Sequence, residues 1–153
     1  MTPTIWFRAL AVVLGLFTLG HTIGTRHAVT AAPQEAAVIS AMQGFQVAVM
    51  GFLRTYWEFY RGFSVTISVL LAALMVIAWQ VGTLSKRSPR EALPIALTLL
   101  IACVANAIVS FFYFFTAPMV MSTASVLCAS MGTALLVRKA RLGATPSSTS
   151  QGG

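Results

Sequence analysis

Two places in this chain combine ionisable side chains with apolar surroundings. The first is His21, close to the end of the first apolar segment. The second is the stretch from Arg54 to Phe63, which holds two of the ten basic residues, one of the three acids and five aromatic residues. Ionisable groups at membrane depth are costly, so each is a candidate for function. The candidate ligand-binding residues are His21, Arg54, Glu58, Tyr60 and Arg61.

The spacing of the charges predicts a network. Arg54, Glu58 and Arg61 are four and three residues apart, so on a helix they share one face. We expect Glu58 to pair with Arg54 or Arg61 and to accept a hydrogen bond from His21. A carboxylate and an imidazole within reach can exchange a proton, which makes His21 and Glu58 the catalytic candidates. The alternatives are a pocket for a ligand or lipid headgroup and a charged face turned to the headgroups.

No pattern in the sequence implies a metal or a cofactor. His21 and His27 are six residues apart, which does not stack them on one helix face, and no HExxH, paired-cysteine or glycine-rich phosphate motif occurs. Cys103 and Cys128 fall within apolar segments, where we expect free thiols that pack as small hydrophobes. Asn106 is a candidate for a hydrogen bond between helices or for a polar group in a site.

The composition excludes an ordinary soluble domain. The chain has 153 residues, of which 58% are hydrophobic and 8% charged, whereas soluble domains carry roughly 25% charged residues. We predict one membrane domain, residues 1–142, followed by a disordered tail, residues 143–153. Its spans cover about 5–24, 59–84, 91–115 and 118–137. The first span could instead be a cleaved signal peptide, although its apolar run is long for that role.

Residues 36–53 carry no charge and could be mistaken for a fifth span. A fifth span would put the basic clusters at residues 86–90 and 138–141 on opposite faces of the membrane, against the positive-inside bias. We therefore interpret residues 36–56 as an interfacial amphipathic helix. The apolar residues that support it recur at steps of three and four: Val38, Met42, Phe45, Val49, Phe52, Tyr56 and Phe59.

The predicted fold class is all-α, an integral membrane four-helix bundle with an extra amphipathic helix between the first two spans. Small residues recur every four positions in two of the spans, and such stripes let helix backbones approach closely in lipid. The stripes are Ser64, Ser68 and Ala72 in the second span, and Ala124, Cys128 and Gly132 in the fourth.

Two motifs carry a resemblance to a known family. They are Gly20-His21-Thr22-Ile23-Gly24, and Arg54 to Phe63 with the sequence RTYWEFYRGF. With these motifs and its span layout, the chain resembles a family of uncharacterised bacterial membrane proteins with four spans. More distantly, the layout alone is similar to DoxX-like four-helix proteins. The resemblance implies a bacterial inner membrane and assigns no catalytic residue.

The function expected from the residues is noncatalytic: an accessory protein, or one that binds a small ligand or lipid. The alternatives are a membrane enzyme that uses His21 and Glu58 on a lipid-like substrate, and a transporter or channel subunit. The expected partners are membrane lipid, a small apolar ligand, and another protein or a second copy of the chain. Nucleic acid is not expected, because the basic residues lie beside spans instead of forming one patch.

The positions of the basic residues predict the orientation of the chain. With four spans, the clusters at residues 86–90 and 138–141 share the cytoplasmic face. Reporter fusions at residue 88 and at the C-terminus should therefore report the cytoplasm, and a fusion at residue 30 the outside. An outside signal at residue 88 would contradict this topology.

Overall fold

The computed structural model of the chain describes residues 2–26 and 32–142, so His27 and the predicted tail lie outside the described residues. Within these ranges the helices are α1 (Pro3–Arg26), α2 (Pro33–Gly44), α3 (Tyr56–Arg87), α4 (Pro89–Tyr113) and α5 (Thr116–Leu142), and the strands are β1 (Gln46–Val49) and β2 (Phe52–Thr55). Helices α1, α3, α4 and α5 are long and apolar enough to cross a membrane. The predicted all-α membrane fold is confirmed, and the chain is a multi-pass membrane protein.

The segment between the first two spans differs from the prediction. The helix expected over residues 36–56 is present only as α2, which ends at Gly44. Residues 46–55 form an antiparallel hairpin in which Val49 faces Phe52. Its two-residue turn is Met50-Gly51, with φ of 51° and 87°, the positive values that a type I′ turn requires. The apolar residues here fit a period of two as well as a helical period, and Gly44 and Gly51 interrupt the helix.

The chain forms two compact units, Met1–Gly15 with Leu74–Gly153, and Leu16–Ala73. In the first unit, α1, α3 and α5 meet at Phe7, whose side chain is fully buried, and α4 packs against α5. A Cβ built on Gly132 of α5 would lie 3.1 Å from the Phe7 ring, and one on Gly82 of α3 would lie 3.3 Å from the Phe7 Cβ. The Phe7 side chain therefore packs with its Cβ against Gly82 and its ring against Gly132, and it ties α1 to α3 and α5.

Helices α4 and α5 pack along a seam of mostly small residues. The buried positions recur at steps of three and four, the spacing of left-handed helix pairs. They are Ala92, Ala96, Leu99, Cys103 and Ser110 on α4, and Ser122, Ser125, Ala129, Gly132, Thr133 and Leu136 on α5. The predicted stripe of Ala124, Cys128 and Gly132 does not coincide with the buried face of α5, because Ala124 and Cys128 are only half-buried. Both cysteines are free.

A second contact in the first unit joins α1, α3 and α5 through polar groups. The hydroxyl of Thr4 lies 3.1 Å from that of Ser85, which donates to the Gly82 carbonyl over 2.8 Å. The Lys139 ammonium donates to the Ser85 carbonyl over 2.8 Å. That carbonyl belongs to the last turn of α3, where a cation is stabilised by the helix dipole. The lysine expected to set topology thus also caps a helix.

The two tryptophans of the first unit differ in their surroundings. The Arg8 guanidinium lies 4.9 Å from the ring centre of Trp79, a cation–π contact. Trp6 is half-buried, and its Nε1 has no hydrogen-bond partner within the described part of the chain. The aromatic residues at the end of α4 are exposed, Phe112 by 79% and Tyr113 by 80%, as a lipid-facing belt requires.

The space around Phe7 generates a prediction about stability. Gly132→Leu should lower the free energy of unfolding by roughly 1–3 kcal/mol, because its side chain would overlap the fully buried Phe7 ring. Thermal melting or SDS titration of the detergent-solubilised protein measures the loss. The matched control is Gly20→Leu, since a Cβ at Gly20 meets nothing within 4 Å. Equal stability of the two variants would contradict the packing described here.

Candidate functional site

Glu58 does not form the predicted charge network. Its Oε2 accepts from the Thr55 backbone N–H over 2.7 Å and from the Thr55 hydroxyl over 3.3 Å, while the Glu58 N–H donates to the Thr55 hydroxyl oxygen over 3.1 Å. This reciprocal pair is a capping box, with Thr55 as the N-cap of α3 and Glu58 three residues inside. Among the described residues, Glu58 has no ion pair with Arg54 or Arg61. The predicted contact with His21 is also not formed.

The capping box has a sequence signal that the charge pattern obscured. The run Thr55-Tyr56-Trp57-Glu58 matches Thr-x-x-Glu directly before an apolar helix. Glu58 is also four residues from Arg54 and three from Arg61. That spacing puts the three side chains on one face only if all three residues are helical. Arg54 lies in β2 and donates to the Leu53 carbonyl over 3.0 Å.

His21 joins α1 to α3 within the second unit. Its Nε2 lies 3.2 Å from the Ser64 carbonyl oxygen, which can only accept, so this nitrogen carries the proton. One residue further, the Thr22 hydroxyl donates to the Ser68 hydroxyl over 2.9 Å. The predicted small-residue stripe on α3 therefore meets α1 through hydrogen bonds. His21 acts here as a packing and positioning group, with its imidazole held by a helix backbone.

Beside these contacts lies an open pocket of about 290 Å³. Its volume is near the lower end of the range for small-molecule sites, roughly 300–1,000 Å³. Helix α1 supplies three of the lining residues and α3 supplies seven. They are Thr22, Thr25 and Arg26 from α1, and Tyr60, Arg61, Ser64, Val65, Ser68, Val69 and Ala72 from α3.

The lining changes in polarity along α3. Tyr60 and Arg61 stand at the start of the helix, the hydroxyls of Ser64 and Ser68 follow with Val65 between them, and Val69 and Ala72 come last. From Arg61 to Ala72 the helix rises about 17 Å. The pocket thus has a cationic end, a hydroxyl-rich middle and an apolar end, a sequence of surfaces that matches an amphiphile.

Two of the five candidate ligand-binding residues line this pocket, Tyr60 and Arg61. His21 lies behind the lining, where it bonds to Ser64, while Arg54 and Glu58 belong to the hairpin and the cap. The residues that the sequence reasoning missed are Thr22, Thr25 and Arg26. Their spacing of three and one puts them on one side of α1, and a polar face at the end of an apolar span could have indicated them.

The capping box predicts a specific pattern of stabilities. Thr55→Ala should lower the free energy of unfolding by roughly 1 kcal/mol, because α3 loses the acceptor of an N-cap. Glu58→Gln should have little effect, since glutamine can also complete a capping box. Melting of the detergent-solubilised variants measures both.

Glu91→Ala supplies the control, because Glu91 is also in the first turn of a helix but its N-cap, Ser88, makes no side-chain capping bond. If Glu58→Gln were as damaging as Thr55→Ala, the charge of Glu58 would matter more than its hydrogen bonds. That result would restore the network predicted from the sequence.

No model of a known protein family, no curated protein and no solved structure matches this chain. Its function therefore has to follow from the contacts and charges of the pocket.

Proposed function

We propose that this chain is a noncatalytic membrane protein that binds a small amphiphilic ligand or lipid in the pocket between α1 and α3. The observation that carries the proposal is the order of the lining: guanidinium groups at one end, hydroxyls in the middle and aliphatic side chains at the other. A ligand with a polar head and an apolar tail satisfies all three parts at once. Small-molecule sites combine an apolar wall with a few polar groups in this way.

The membrane setting supports such a ligand. The pocket is open, and its apolar end is formed by α3, a membrane-length helix whose Val65 and Val69 side chains are 56% and 61% exposed. Exposed valines on a spanning helix contact acyl chains, so a tail can leave the pocket directly into lipid. A soluble polar ligand would leave this part of the lining unused.

The contacts of the two catalytic candidates favour binding over acid/base chemistry. Glu58 is used by the helix cap, and the Nε2 proton of His21 is used by the Ser64 carbonyl. The ten lining residues include neither a carboxylate nor an imidazole. A binding role needs only what the lining supplies, namely charge, hydroxyl groups and apolar surface.

The location we propose is a bacterial inner membrane, with both termini in the cytoplasm and the pocket toward the outer side. Two features support it. The last turns of α3 and α5 carry basic residues, Lys86, Arg87, Lys139 and Arg141, whereas the pocket residues Tyr60 and Arg61 lie near the first turn of α3. The motifs containing His21 and Arg61 resemble those of four-span bacterial membrane proteins.

Filling the apolar end of the pocket tests the proposal. Ala72 lines the pocket, and its neighbour Ala73 is exposed and does not line it. Ala72→Phe should abolish retention of the bound amphiphile, whereas Ala73→Phe should keep it, because only the first ring occupies the site. Native mass spectrometry with lipid analysis of the gently purified proteins gives the readout.

The contrary result is also defined. If wild type, Ala72→Phe and Ala73→Phe retain the same molecules in the same amounts, the pocket is not the binding site and the proposed function fails. Melting curves for the two variants show whether each is folded. Since both substitutions add the same ring to adjacent positions of one helix, a difference between folded variants reports the pocket alone.

A further inference from the structure

We propose that the ligand of this pocket carries an anionic head, a phosphate or carboxylate group, held between Arg26 and Arg61. The inference rests on the proposed function and adds the chemical class of the ligand. It also makes Arg26, the last residue of α1, a binding residue.

No described residue neutralises the two guanidinium groups. Both Arg26 and Arg61 line the pocket, and within the described residues neither has an ion-pair or hydrogen-bond partner. The chain has three acids, Glu35, Glu58 and Glu91, and none of them lines the pocket. Both arginine side chains are exposed, so an anion can reach them without displacing a protein partner. A bound anion gains attraction from both positive charges.

The hydrogen-bond donors around the arginines suit an oxyanion. A guanidinium group offers a planar fork of N–H donors that fits phosphate and carboxylate oxygens in pairs. Tyr60 stands next to Arg61, and Thr25 next to Arg26, so each arginine has a hydroxyl beside it in the lining. The Thr25 hydroxyl donates to the His21 carbonyl over 2.8 Å, and its oxygen retains acceptor capacity only. Tyr60 is therefore the hydroxyl donor of the pair.

The orientation of the ligand follows from the same residues. The head lies at Arg26 and Arg61, the hydroxyls of Ser64 and Ser68 accommodate the polar link, and the tail runs past Val69 to Ala72. A free inorganic anion would use the first group only. Basic pockets between spanning helices are a known way to hold lipid headgroups, and this pocket adds a path for the tail.

The test uses the full-length protein in nanodiscs of equimolar phosphatidylglycerol and phosphatidylcholine with identical acyl chains. Lipid retained after transfer to an uncharged detergent is counted by native mass spectrometry. The variants are Arg61→Gln and Arg26→Gln. Arg54→Gln is the matched control, because it removes the same charge from the same unit at a residue outside the pocket.

Wild type and Arg54→Gln should retain the anionic lipid in preference to the zwitterionic one. Arg61→Gln and Arg26→Gln should each lower that preference about tenfold or more, since hydrogen bonds to charged groups contribute that much to binding. Arg61→Lys, which keeps the charge and loses the planar fork, should fall in between. Equal preference in wild type and both glutamine variants would overturn the inference.

A second arm separates lipid from free anion. Titration of the detergent-solubilised protein with inorganic phosphate should show binding much weaker than that of the anionic lipid, and Ala72→Phe should leave phosphate binding intact while removing lipid. If phosphate binding depends on Arg61 but wild type retains no lipid, the anion site is supported and the proposal that the ligand has an apolar tail is contradicted. If wild type retains lipid without a charge preference and Ala72→Phe loses it, the proposal of an anionic head is contradicted, while the proposed binding function is supported.

Discussion

The first unit depends on the close packing of Phe7 against Gly82 and Gly132. Lipid is as apolar as a leucine side chain, so helices in a membrane gain little by hiding apolar surface from it. Their association relies on close van der Waals contact, and Phe7 provides that contact through its Cβ at Gly82 and its ring at Gly132. The polar layer of Thr4, Ser85 and Lys139 fixes the same three helices at their ends, where a backbone carbonyl would otherwise lack a partner.

Hydroxyl groups have different hydrogen-bond partners in different parts of the chain. Along α4 and α5, buried serines donate to carbonyls of their own helix, as Ser110 does to Asn106 and Ser125 to Met121. They therefore allow close packing without needing a partner on the next helix. In the second unit, Thr22 donates across to Ser68. Thr22 and Ser68 both line the pocket between α1 and α3.

Much of the fold could be predicted from the sequence, because membrane spans depend on composition over about 20 residues and on the placement of charges. The hairpin could not, since Phe45, Val49 and Phe52 satisfy two periodicities and Met-Gly is not among the dipeptides preferred in such turns. Two of the predicted site residues, Tyr60 and Arg61, line the pocket, but Arg26 required knowledge of which turn of α1 faces α3. The ion pair predicted for Glu58 is not formed among the described residues. Glu58 fits both a helical charge pattern and a capping box, and only the backbone conformation of Arg54 and Thr55 distinguishes the two.

Thr55 has a mechanical consequence, because it is the last residue of β2 and also the N-cap of α3. No linker residue separates the strand from the helix, and two reciprocal hydrogen bonds brace the junction. The hydrogen bonds that start α3 therefore also set the direction in which the hairpin leaves the helix, one turn before Tyr60 and Arg61.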